Sequence, residues 1–348
     1  MSLLYDIFLA STSTFLYDDI ERKVYHNDCE EYIMETNSLR DYYFIINPAA
    51  GKGTAQKELI RQIRATLPAG TYHIYATTGV GDGERYVDTL ATQAVAEQKQ
   101  IVAFACGGDG TFFEVVNGAQ GRIPVGIIPC GSGNDFAKNI VADDSKILFD
   151  IEAQINGEIQ SVDLIRCNDK LISNACNVGF DADVAYNMSR FKRLPFVSGK
   201  LAYILSIVYC LTHQMSYPLT IQIEDEEPIR DSFLFTAIAN SQVYGGSFKG
   251  APLASIQDGL IDVCMVHKLN LLQIARFIGS FQKGTYLDNK AIMEVAEYKK
   301  CRRLHITSDV PVYVAYDGDI VQIDDIDVEM LPNALQLIVP KDAKLKNI

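Results

Sequence analysis

The sequence predicts an α/β domain followed by a β-rich one, and three observations carry that expectation. Apolar strand-like runs alternate with helical periodicity from Asp41 to about residue 160. From about Ser161 strand-like runs dominate instead. At 348 residues the chain is also longer than one ordinary core fills.

Residues 1–40 mix acidic and aromatic side chains without a readable period and stand as an N-terminal extension. Tyr42–Ile46 reads as a buried strand ending at Asn47-Pro48. A helix is predicted from Thr54 to Leu67, stopped by Pro68-Ala69-Gly70. Tyr72–Ala76 reads as a strand, Glu84–Gln98 as a helix and Ile101–Ala105 as a third strand entering a glycine turn. Phe112–Gly118 opens a helix, Val125–Ile128 is a fourth strand, and Pro129–Asp135 is a turn. Such alternation implies a parallel sheet with helices on both faces, a three-layer domain over residues 41–160. Beyond it Val162–Arg166, Leu219–Ile223, Phe233–Ala239, Leu260–Val266, Val312–Ala315 and Leu335–Val339 read as strands. Helical inserts interrupt them near Lys200–Thr212 and Leu271–Gln282. This second texture predicts a β-sandwich over residues 161–330, with residues 331–348 returning to the first domain.

Composition excludes several functions. A net charge of −13 argues against nucleic acid, whose binding is driven by Lys and Arg. The eight cysteines form no C-x-x-C pair, as expected of reduced, buried thiols. The N-terminus lacks the basic and apolar regions of a signal peptide, and the longest apolar stretch, Leu201–Leu211, is about half a membrane span. The expectation is a cytoplasmic protein, with any membrane contact peripheral, at the inner face.

Three loops at successive strand ends are rich in Gly, Asn and Asp. They are Asn47-Pro48-Ala49-Ala50-Gly51-Lys52-Gly53, Gly107-Gly108-Asp109-Gly110-Thr111 and Gly131-Ser132-Gly133-Asn134-Asp135. In a parallel α/β domain such loops share one edge, where ligands bind. Phosphate oxygens need close backbone N–H groups, so glycine clears the side chains away, and a helix after Thr111 adds its positive end. Asp109 would repel phosphate unless it acts through Mg²⁺ or on hydroxyls, which makes it a metal or ribose candidate. One Gly-rich turn is more often only a turn; three at successive strand ends reverse that reading. The spacing fits neither a Walker P-loop nor a dinucleotide fingerprint.

Together these segments, with Phe136-Ala137 closing the third, resemble the diacylglycerol kinase catalytic domain, the lipid-kinase family that includes sphingosine and ceramide kinases. The likeness runs from Asp41 to the C-terminus. It implies a phosphofructokinase-like N-terminal domain, a C-terminal β-sandwich, ATP and Mg²⁺ as cofactors, and a lipid substrate at a membrane surface. It also implies that Asn47, Pro48, Ala49, Ala50, Gly51, Lys52, Gly53, Thr77, Gly107, Gly108, Asp109, Gly110, Thr111, Gly131 and Ser132 hold the nucleotide. The chain departs from the pattern at Phe113, where the family commonly has Asn.

Asp317-Gly318-Asp319, between two apolar runs, resembles the family's Asp-Gly-Glu, which supplies the catalytic base. Either carboxylate can serve, and the reading places proton abstraction on Asp317, with Asp319 supporting. As bare sequence, Asp-Gly between strands is first a hairpin signal. Ser255-Ile256-Gln257-Asp258-Gly259-Leu260 resembles the family's structural Mg²⁺ site, with Ser255, Asp258 and the Leu260 carbonyl as ligands. Asp262 is a further candidate, equally readable as an outward strand residue. Arg190-Phe191-Lys192-Arg193-Leu194-Pro195-Phe196, with Lys200 and the apolar run beyond, reads as a membrane-contacting edge or a solvated basic loop. Asn177–Ala182 resembles a family segment that packs beside the cleft. The functional expectation is an ATP- and Mg²⁺-dependent lipid kinase acting on diacylglycerol or a related lipid. An NAD kinase-like enzyme and a non-catalytic lipid-binding regulator are the alternatives, and a homodimer is left open.

Overall fold

The computed structural model describes residues 40–51, 54–131, 133–141, 145–194, 197, 199–213, 215–245, 248–343 and 345. The extension at 1–39, Lys52, Gly53, Ser132, Pro195, Phe196 and the side chain of Lys200 lie outside the described residues.

The first half is built from β1 (Asp41–Ile46), α1 (Thr54–Thr66), β2 (Tyr72–Ala76), α2 (Asp82–Glu97), β3 (Ile101–Gly107), α3 (Asp109–Ala119), β4 (Val125–Pro129), α4 (Asp135–Ile140) and α5 (Ile151–Ile155). The four strands are parallel in the order β2-β1-β3-β4. Alternation along each strand separates two cores. Phe44, Ile46, Phe104 and Ile128 pack with α1 and α5, while Ile45, Ala103, Ala105 and Ile127 pack with α2, α3 and α4. That is the three-layer arrangement the alternation predicts. Register then does the positioning: Ala76, Ile46, Cys106 and Ile128 are neighbours across the sheet. The loops following these four residues therefore emerge side by side.

The second half comprises β5 (Glu158–Cys167), β6 (Lys170–Ile172), β7 (Ala175–Gly179), α6 (Phe180–Phe191), α7 (Gly199–His213), β8 (Tyr217–Ile223), β9 (Ile229–Ala239), β10 (Ile261–His267), α8 (Leu271–Lys283), α9 (Lys290–Met293), β11 (Ala296–Cys301), β12 (Arg303–Tyr316) and β13 (Asp319–Val339). Its pairings are antiparallel and enclose a core of Ile165, Val178, Ile221, Phe233, Val263, Val314 and Val328, among others. β13 is shared: its first half pairs with β12, its second half from Val328 with β5, and Leu337 lies parallel beside Val125 of β4.

Two elements depart from the sequence reading. Arg190 and Phe191 belong to the last turn of α6, so the basic segment begins on a helix and not in a loop. Asp262 is fully buried, its carboxylate held by Tyr298 and, at 3.1 Å, by the Lys300 ammonium. Its outward reading is thereby corrected.

Candidate active site

A cavity of about 1340 Å³ runs between the two halves. Single ligands generally occupy roughly 300–1,000 Å³, so this volume accommodates two molecules. Its two ends differ in chemistry.

At one end stand the three loops. Asn47, Pro48, Ala49, Ala50, Gly51, Thr77, Gly108, Asp109, Gly110, Thr111 and Gly131 all line the wall. Asn47 is the hub of the first loop. Its Nδ2 donates to Thr111 Oγ1 at 3.2 Å, its Oδ1 accepts from Ala49 N at 2.9 Å, and its carbonyl accepts from Gln56 Nε2 at 2.7 Å. The second and third loops touch through glycines. A Cβ at Gly131 would stand 2.5 Å from Gly108 Cα, and one at Gly107 would stand 2.2 Å from Thr111 Oγ1. Gly107 does not line the cavity; its absent side chain makes room for Thr111. Gly108, the N-cap of α3, presents that helix's first turn to the cavity, where the Asp109 and Gly110 N–H groups have no intrahelical partner.

Asp109 has a structural task as well. Its Oδ1 accepts from Asp135 N at 2.6 Å and from Phe136 N at 3.4 Å, capping the start of α4 and tying the second loop to the third. Burial and the nearby Asp135 carboxylate raise its pKa. Asn139 of α4, 1 % exposed, continues the tie into the other half, donating to Ser241 Oγ at 3.0 Å and to the Val243 carbonyl at 2.8 Å. Phe113 does not reach the cavity. It is buried in the core of the second half, which gives the departure from the family's Asn a packing cause.

Asp317 and Asp319 flank the cavity on the β12–β13 hairpin, and Asp317 (φ 48°) and Gly318 (φ 101°) form its two-residue turn. Two residues apart, they are held in opposite ways. Asp317 accepts four hydrogen bonds, from Ser173 N and Oγ, Asn174 N and Ala175 N, at 2.7 to 2.9 Å. Burial pushes its pKa up to about 6 against those donors. Asp319 accepts no hydrogen bond from any described residue; burial, followed by the Glu114 carboxylate, raises its pKa, while Lys170 opposes the rise.

The other end of the cavity is apolar. Phe180, Val184 and Met188 of α6, Ile207 and Leu211 of α7, and Phe277 and Phe281 of α8 form its walls. Between the ends sit Asn177 and Asp181, residues the sequence placed beside a cleft without a role. The Asn177 Oδ1 is buried and makes no hydrogen bond. Burial pushes the Asp181 carboxyl up to about 7. A carboxylate one residue after an aromatic offers no spacing signal, so sequence alone leaves Asp181 unassigned. Among the described residues, no Lys, Arg or His lines the cavity, against six carboxylates.

Ser255, Asp258 and Leu260 are not part of this cavity. Asp258 Oδ1 accepts from Leu260 N at 3.0 Å, and its Oδ2 accepts from Lys300 Nζ at 2.7 Å. Ser255 Oγ accepts from Gln257 N at 3.3 Å. Lys300 thus supplies positive charge to the loop. Among the described residues, no three His, Cys, Asp or Glu side chains cluster at metal spacing.

Residues 41–167 match the family model for the diacylglycerol kinase catalytic domain, and residues 174–339 match that for the YegS C-terminal NAD kinase beta sandwich-like domain. The chain thus carries a segment matching the diacylglycerol kinase catalytic domain, followed by one matching the YegS C-terminal domain. Its two matched segments correspond to the α/β half and the β-sandwich half, joined at the cavity. A diacylglycerol kinase of Bacillus subtilis (strain 168) is 28% identical over 280 residues, covering 79% of this chain and 88% of that one. A diacylglycerol kinase structure from Bacillus anthracis str. Sterne shares the fold, with a TM-score of 0.59 at 21% identity over 86% of this chain and 97% of that chain. The family is one of kinases. No helix among the described residues is long and apolar enough to cross a membrane.

Proposed function

We propose that the protein is an ATP- and Mg²⁺-dependent lipid kinase that phosphorylates the hydroxyl of diacylglycerol or a closely related lipid. The observation that carries this reading is the single cavity with a glycine-loop end, an apolar end and Asp319 lining its wall. The loops suit a nucleotide triphosphate, because glycines 108 and 110 leave backbone N–H groups free of side-chain cover. The apolar end suits acyl chains, which gain only from burial.

The charge balance calls for a cation. With six carboxylates and no basic side chain among the described lining residues, a divalent ion is the natural counter-charge for the phosphates when bound. Asp109 is the cavity carboxylate we propose to face it. We keep the Ser255, Asp258 and Leu260 oxygens as a second, structural ion site, where an ion would compete with Lys300 for Asp258.

Our base is Asp319 and not Asp317. A general base needs a free lone pair and a pKa drawn toward neutrality. Asp317 spends its lone pairs on four donors and thereby fixes residues 173–175 against the hairpin. Burial raises the pKa of both, but only Asp319 accepts no hydrogen bond from any described residue and so keeps its lone pairs. As the acceptor oxygen bonds to the γ-phosphorus, its proton passes to Asp319, and the bond to the leaving diphosphate oxygen breaks. We place the enzyme in the cytoplasm, peripheral to the inner face of the membrane.

The test is transfer of labelled γ-phosphate from ATP to diacylglycerol, a sphingoid base and ceramide in mixed micelles, with NAD in parallel. Transfer to a lipid that is lost with Mg²⁺ chelation supports the reading. Transfer to NAD alone, or to none, overturns it.

A further inference from the structure

The cavity has two mouths, and they differ in kind. A residue that lines a cavity while keeping much of its surface in solvent marks an opening. At the loop end that residue is Val80, 88% exposed. At the apolar end the markers are Tyr203 on α7, 38% exposed, and Ile278 on α8, 44% exposed. The second opening is thus framed by α7 and α8.

The outer surfaces of those helices are apolar where a water-facing helix would be polar. On α7 three faces can be separated. Ala202, Ser206 and Cys210 are buried, Ile207 and Leu211 line the cavity, and Leu201, Ile204 and Val208 are exposed. On α8 Leu271 and Leu272 are exposed, the latter at 83%. Scattered exposed apolar residues are ordinary; a row of them on the helices that frame an apolar cavity mouth is not.

Charge supplies the second observation. Arg190, Lys192 and Arg193 at the end of α6, and Arg276 and Lys283 on α8, are exposed, and none forms an ion pair among the described residues. In a chain of net charge −13, these five exposed cations belong to the same helices, or the turn directly after one, that carry the apolar residues. Exposed apolar side chains rimmed by cations match a bilayer carrying anionic headgroups, where each cation near the surface adds attraction.

We infer that the outer faces of α7 and α8, with the basic end of α6, form a docking surface for an anionic lipid bilayer, which would place the Tyr203–Ile278 mouth against the membrane. A lipid could then enter the apolar end without crossing water, while nucleotide enters by the Val80 mouth. The inference rests on the lipid-kinase reading for its purpose, but not for its test.

The experiment is sedimentation of the full chain with phosphatidylcholine vesicles, with and without phosphatidylglycerol. The wild type and the variants Ile204→Asp/Val208→Asp and Arg190→Glu/Arg193→Glu are compared. Each is also assayed with a short-chain diacylglycerol dispersed without vesicles, and its fold is checked by circular dichroism. We expect the wild type to bind anionic vesicles, and both double variants to bind them at least about tenfold more weakly with the fold intact. Variants that bind as the wild type does, or a wild type that ignores anionic vesicles, overturn the inference. A dimer that Ile204→Asp dissociates also overturns it, assigning the face to a second copy. Normal vesicle binding with no transfer to the short-chain lipid leaves the docking surface standing and removes the kinase reading instead.

Discussion

The two ends of the cavity are made by opposite means. At the loop end, main chain does the work: the loops meet because Ala76, Ile46, Cys106 and Ile128 are in register, and because Gly131 and Gly108 carry no side chains to keep them apart. At the far end, side chains from three helices of the second half make the wall, and no turn or register dictates it. A backbone-built site suits a ligand recognised by its invariant phosphates. A side-chain-built site suits a ligand recognised by size and greasiness, and it is the end that can change without loss of the fold.

Variants can separate the ends. The largest effect is expected at the carboxylate we propose as base. Asp319→Asn should lower kcat by roughly 10²–10⁴-fold with nucleotide affinity unchanged, measured by steady-state kinetics and nucleotide titration. Asp317→Asn should instead lower thermal stability as well as kcat, because it breaks the anchor of residues 173–175. If the two variants behave alike, the division of labour between them is wrong. Next comes the loop end: Gly131→Ala forces a Cβ onto the Gly108 main chain and should weaken nucleotide binding at least about tenfold, leaving acceptor binding alone. The mirror variant, Ile207→Trp, fills the apolar end and should raise the acceptor KM about tenfold for long acyl chains, with the nucleotide KM unmoved.

The smallest effect concerns the ground between the ends. Asp181 has a folded pKa raised to about 7, so the folded state holds a proton that the unfolded chain releases near pH 4. Stability contributed by the neutral form is therefore lost as pH rises from about 4 to about 7. Asp181→Asn should raise the Tm by about 2–4 °C at pH 7.5, the gain fading below about pH 5 in a calorimetric series. A gain independent of pH would mean that Asp181 is already paired.

The same contrast explains what was legible in the sequence. Strand–helix alternation predicted the α/β half well, with Tyr72–Ala76 found at its predicted limits, because parallel strands leave apolar runs bounded by turns. The loops were legible because glycine at a strand end has few other uses. The hairpin was legible as a turn, but not which carboxylate was free: the four donors to Asp317 include residues 142 to 144 positions away. Phe113 likewise gains its meaning only from core partners far along the chain. The apolar end was invisible because the helix α6 was not read from the sequence at all, and α7 and α8 read only as helical inserts until their cavity-facing and exposed residues are sorted in space. Asp258 read as an ion ligand, and the structure adds the Lys300 contact that no local pattern announces.

One strand joins everything discussed. β13 starts at Asp319 on the cavity wall and, over its 21 residues, runs to the region where Leu337 lies beside β4. It keeps β5 as its neighbour on both sides of a register shift between Leu331 and Leu335. The two halves are two sequence units, yet they share this ribbon as common property. Melting either half strips hydrogen bonds from a strand the other half needs, so calorimetry should trace one cooperative transition in place of two.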